Sequence, residues 1–319
     1  MMIMNNGRDL FLLMRCETIF GILWMIGHGL MQSVFASLVA RSWIVLTAGL
    51  LLCCWTGLVH ADEAEQTLAP YRVIYDINLG DETMSLSKPA AVAALNGRMV
   101  FELRGNACEG YATTQRLVTS TEMSEGPTAL EDIQMASFEK PEGKGLDFFK
   151  RHLVNQQPQL RQRGAAVKKG GHIRVGMAQP SQMAFELPET VLFPAAYMKE
   201  LLAAAEAGER VFTAHVFDGA DDPGEYFQVS TSIGTPFVAA GAEDAAQVPH
   251  PALVGIKGWP VTLAYYPSTS SAEDMTPLYE VNTTLFANGV SGNMQFSFEG
   301  YALDFQISEL ELFPASDCD

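Results

Sequence analysis

The chain has 319 residues, 48% of them hydrophobic and 18% charged, with a formal net charge of −17. That composition is long and apolar enough to bury a core, and it excludes a disordered chain. The acidic balance lacks the basic footprint that nucleic-acid binding needs, so no nucleic-acid partner is expected; acidity favours solubility and is silent on fold.

Residues 1–61 read as an N-terminal extension plus a signal peptide. Arg41 precedes an apolar run from Trp43 to Leu52, and the small-residue site Val59-His60-Ala61 precedes the acidic Asp62. This is the order of a secretory signal, with cleavage expected after Ala61. The alternative is a membrane anchor over 42–59. Lipid attachment at Cys53 or Cys54 fits less well, because leucines precede them where a small residue is wanted. Residues 1–30 hold a second apolar stretch, and Met31 would open a signal of ordinary length, which makes it the expected translation start. The removed segment carries Arg8, Arg15 and Arg41 against Asp9 and Glu17, so 17 basic and 35 acidic residues remain, a net charge of −18. Two cysteines remain, Cys108 and Cys318. An even pair in an exported chain favours a disulfide; the alternative is two buried free thiols.

From residue 71 onward the pattern has period 2. In YRVIYDINL, Tyr71, Val73, Tyr75, Ile77 and Leu79 fall on one face, as a half-buried strand requires. Similar runs follow over 97–105, 110–121, 130–140, 145–154 and 172–179, then over 210–219, 226–234, 259–267, 277–289, 292–300 and 301–312. Turn signals punctuate them at Asn96-Gly97, Asp218-Gly219, Asn288-Gly289 and Glu299-Gly300, and Asn-Gly predicts a type I′ hairpin. About twelve short strands in series imply an antiparallel sheet curling on itself as a barrel or sandwich. One helix interrupts them over about 194–207. Pro194 stands where its missing N–H is harmless, Tyr197, Leu201, Leu202 and Ala205 recur at helical spacing, and Gly208 suits the C-terminal cap. The single apolar stripe predicts that the helix lies on or plugs the sheet. Residues 62–319 are expected to form one β-rich domain.

The chemistry-bearing motifs are missing: no G-x-S-x-G, H-E-x-x-H, C-x-x-C, Walker or dinucleotide loop occurs, and no histidine lies at metal-ligand spacing from another histidine or a cysteine. The carboxylates of FDGADDPGE (217–225) read as a turn between strands rather than a cation site. No catalytic residue, metal or cofactor is therefore expected. Eight basic residues crowd between Lys144 and Arg174, opposed inside that window by Asp147. They could form an anion-binding face for lipid phosphates or an acidic partner, with Lys168, Lys169 and Arg174 as its centre. The alternative is a solvated region whose charges protect strand edges.

At Cys108 the stretch CEGYATTQR follows the pattern C-[DE]-G-[WY]-x-x-x-Q-R and resembles the EipB family of periplasmic cell-envelope integrity proteins. APYRVIYDINL, LFPAAYMKELLAAAEAGE, VFDG, WPVTLAYY, PLYEVNTTLFANGVSG and the terminal ELFPASDC match in the same order, covering 68–318. The resemblance implies a spiral-like open β-barrel in the periplasm, a Cys108–Cys318 disulfide and a role in envelope integrity, with no enzymatic activity. The expected partner is an unidentified periplasmic protein or envelope component. The alternative function is a lipid or lipoprotein carrier that uses the concave face of the sheet.

Overall fold

The period-2 pattern becomes fifteen strands in the computed structural model, which describes residues 67–80, 92–219, 224–238, 248–268, 276–315 and 318. The signal segment, its cleavage site and Met31 lie outside the described residues. The strands are β1 (Tyr71–Leu79), β2 (Val92–Asn106), β3 (Gly110–Met123), β4 (Ala129–Glu139), β5 (Gly145–Val154), β6 (Gln157–Lys168), β7 (His172–Gln179) and β8 (Met183–Pro188). After helix α1 (Pro194–Glu206) come β9 (Val211–Val216), β10 (Phe227–Ile233), β11 (Phe237–Val238), β12 (Lys257–Pro267), β13 (Tyr279–Phe286), β14 (Ser291–Phe298) and β15 (Tyr301–Leu312).

All strands join one antiparallel sheet in the order β8-β7-β6-β5-β4-β3-β2-β1-β15-β14-β13-β12-β10-β9, with β11 added beside β12. The first and last strands are neighbours, Tyr71 opposite Leu312 and Leu79 opposite Leu303. The sheet curls, as twisted sheets of this size must, and does not close into a barrel. Its free ends are β8 and β9, and among the described residues the segment leaving β8 meets β9 at one isolated parallel bridge, Leu192 to Val216. There the Leu192 N–H donates to His215 O at 2.8 Å and the Phe217 N–H donates to Leu192 O at 3.0 Å. The expected spiral-like open barrel is therefore the observed architecture.

Side-chain alternation explains the curl. Tyr71, Val73, Tyr75 and Ile77 point into the main core with the inward residues of β10 and β12–β15 and the stripe of α1. A second apolar cluster, built on Leu146, Phe148, Ile173 and Val175, takes in Val191, Phe193 and Phe217, and so glues the β5–β8 end of the sheet to the chain leaving β9. Packing rather than a hydrogen-bond ladder draws the ends together. The helix runs as expected, ending at Glu206 with Ala207 as its cap and Gly208 at φ 81° beyond. Among the described residues no helix is long and apolar enough to cross a membrane.

Two local expectations differ. Asn96-Gly97 is not a hairpin turn but sits inside β2, between Asn78-Ile77 of β1 and Ser120-Thr119 of β3. Gly97 is required there because a Cβ would overlap the backbone oxygen of Val118. β6, β8 and β11 carry no predicted run. β6 follows a tight turn at Asn155 (φ 50°) and Gln156 (φ 66°), which adopts the two positive φ values of a type I′ turn without a glycine.

Candidate functional site

Two adjacent rungs of the sheet build one wall of an interior cavity. Cross-strand register places Tyr71, Leu103, Thr113 and Ser137 on one rung and Phe101, Gln115, Met135 and Lys150 on the next, all pointing inward from β1 to β5. The first turn of α1 faces them with Pro194, Ala195 and Met198, and Asp218-Gly219 closes the β5 side. The space is about 250 Å³ and is partly open to solvent. The Thr113 and Ser137 hydroxyls satisfy each other at 2.6 Å. Burial pushes the Tyr71 phenol well above its ordinary pKa, so it remains a neutral wall residue. Gly219 stands at φ 75° against the Phe148 ring. Gly219→Ala combines left-handed strain with overpacking and is expected to lower the unfolding free energy by about 2–4 kcal/mol. Urea unfolding at unchanged m-value measures it; a midpoint equal to wild type would show that the Phe148 ring yields.

The position of α1, and with it the cavity wall, depends on Glu139 at the end of β4. The helix opens after Phe193, which has no capping side chain. The Glu139 carboxylate takes that role from 56 residues away: the Ala195 N–H donates to Oε2 at 2.7 Å and the Ala196 N–H donates to Oε1 at 3.0 Å. Pro194 has no N–H, so two of the three N–H groups left unpaired at this helix start are so satisfied, and the negative charge meets the positive end of the helix dipole. Glu139 is only 5% exposed. Burial raises its pKa, outweighing the two N–H donors and the nearby charges of Lys199 and Lys168. In the same first turn, the Tyr197 hydroxyl pairs with Thr231 at 2.8 Å, and burial pushes its pKa up to about 12.

The disulfide lies at the turn between β2 and β3. Asn106 shapes that turn, its Oδ1 accepting from the Cys108 N–H at 2.9 Å and the Glu109 N–H at 2.8 Å. Cys108 is bonded to Cys318, with Cα atoms 5.8 Å apart, and both cysteines are exposed. The tail between β15 and Cys318 is held by the Phe313 N–H donating to Pro70 O at 2.9 Å and by the Arg104 guanidinium 3.5 Å over the Phe313 ring. The rest of CEGYATTQR runs along β3. Tyr111 is buried and its hydroxyl accepts from the Leu68 N–H at 3.3 Å, Thr113 and Gln115 face the cavity, and Arg116 makes a bidentate pair with Asp132 on the outer face at 3.1 and 2.9 Å.

The three basic residues singled out in sequence do not share a face. Lys168 pairs with Ile173 on the inward side and its ammonium lies 5.7 Å from the Phe193 ring centroid, whereas Arg174 pairs with Val167 on the outward side and meets Glu186 at 3.4 Å. Lys169 follows the strand end and is exposed. Asp221 and Asp222 of the acidic loop lie outside the described residues. Among the described residues no group of three His, Cys, Asp or Glu side chains could hold a metal. Sequence reasoning missed Glu139 and the cavity wall. The only local hint of the former was a carboxylate ending an apolar strand just before Lys140-Pro141.

A family model described as EipB-like matches residues 62–314. Over 272 residues the chain is 29% identical to the cell envelope integrity protein EipB of Brucella abortus, which covers 83% of this chain and 92% of that protein. A crystal structure of a β-barrel-like protein of a domain of unknown function from Brucella abortus superposes with a TM-score of 0.69 at 28% identity, covering 77% of this chain and 99% of the other.

Proposed function

Because the chain belongs to the EipB-like family, we propose that it is a non-enzymatic protein of the cell envelope, acting in the periplasm to maintain envelope integrity by binding a protein or an envelope component. The observation that carries this reading is the extent of the likeness: 92% of a protein named for cell envelope integrity aligns with this chain, and the family model spans the whole of the described sheet. A curled sheet held by a disulfide suits an oxidising compartment, where such a bridge persists. The wall formed by β1–β5 and α1 is the concave surface available for a bound component.

Deletion of the gene is expected to sensitise cells to detergents and to antibiotics that act on the cell wall. Expression of the full chain restores resistance, and a version lacking residues 1–61 that stays in the cytoplasm does not. A deletion strain with wild-type resistance to both stresses would sink the proposal. Restoration by the cytoplasmic version would sink its localisation.

A further inference from the structure

We propose that the cavity between α1 and strands β1–β5 is a binding site for one alkyl chain of about ten carbons, the apolar part of an amphiphile. This deepens the reading of the protein as a binder of an envelope component and rests on it. Protein interiors are close-packed, with few voids larger than a water molecule, yet about 250 Å³ stays open here. An apolar cavity of about 150 Å³ stays dry and takes up benzene, so the same packing gives room for about ten carbons.

Polarity and shape narrow the class. Tyr71, Phe101, Leu103 and Met198 make the β1–β2 side apolar, while the charged side chains of the lining, Lys150 and Asp218, stand on the β5 side. A compact polar metabolite would need several converging donors and acceptors. Instead, the Thr113 and Ser137 hydroxyls are bonded to each other. The wall runs from Tyr71 on β1 to Lys150 on β5, apolar at the first end and charged at the other. That order suits an amphiphile whose alkyl chain lies against Tyr71, Phe101 and Leu103 and whose polar end lies toward Lys150 and Asp218.

The test uses the exported protein, produced from the full chain, with decanoate as the probe and titration calorimetry as the readout. Decanoate should bind saturably, and benzoate, a compact anion that leaves much of the space unfilled, should bind at least tenfold more weakly. Met135→Trp and Met198→Trp fill the cavity from the sheet and from the helix, and each should weaken decanoate binding at least tenfold. Phe101→Ala enlarges it and should shift the preferred ligand from decanoate toward tetradecanoate, a gain that a misfolded protein would not show. Absence of saturable decanoate binding to the wild-type protein, equal affinity for benzoate, or unchanged affinity in a folded tryptophan variant would overturn the inference. Complementation of detergent sensitivity is scored separately. A protein that complements but binds no alkyl probe refutes the ligand and leaves the envelope reading standing; one that binds the probe but does not complement refutes the envelope reading alone.

Discussion

Cys108→Ser is expected to lower the unfolding midpoint by about 10–20 °C. The bond to Cys318 closes a loop of 210 residues, and on the chain-entropy model such a loop contributes roughly 5 kcal/mol by restricting the unfolded chain. In a domain of this size each kcal/mol moves the midpoint by about 2–4 °C. Both sulfurs belong to exposed residues, so a reductant reaches the bond without prior unfolding. Dithiothreitol should bring the wild-type midpoint down to that of the variant and leave the variant unchanged. A Cys108→Ser protein that melts with the wild type would show that the bridge adds nothing to the folded sheet.

Glu139→Ala should destabilise the protein by about 2–4 kcal/mol, because one buried and one half-buried N–H group at the start of α1 lose their acceptor. Glu139→Gln keeps one acceptor oxygen and places an NH₂ where the second stood, so an intermediate loss is expected. The two variants also separate the charge from the cap. Burial raises the Glu139 pKa above its ordinary 4.5, which means that the folded protein holds this proton more tightly than the unfolded chain does. The contribution of this group to stability is therefore greatest below pH 4.5, declines as pH rises through the raised value, and is constant above it. Subtracting the Glu139→Gln curve of unfolding free energy against pH from the wild-type curve should expose that decline. A difference curve that rises over the same window would contradict the burial argument.

Much of this fold was readable before any coordinates, for one physical reason: where one face of a strand is buried and the other is wet, composition alternates. β1, β5, β7 and β15 begin and end at the residues their alternation predicts. Helix α1 was marked at both ends by Pro194 and Gly208, which answer to backbone geometry rather than to partners. β6 escaped because its inward positions include Gln162 and the small Gly164 and Ala166, so no apolar stripe stands against its outward Arg161 and Arg163. The helix cap escaped because it is not local. A search upstream of Pro194 finds Phe193, while the working carboxylate belongs to another strand. The cavity was invisible for a related reason: Thr113, Gln115, Met135 and Lys150 become one surface only through the register of three strands, which the sheet as a whole sets.

The adjacency of β1 and β15 dictates when this protein can finish folding. Strands β1–β8 and β9–β15 can each assemble as a meander of near neighbours. Joining them requires the twelve residues of the final strand, whose partners lie more than 220 positions back along the backbone. Contacts of such sequence separation form late and slowly. Until then the molecule is two half-sheets with exposed inner edges, vulnerable to proteases and to pairing with strangers. The thiol that seals the finished sheet arrives six residues after the strand that completes it.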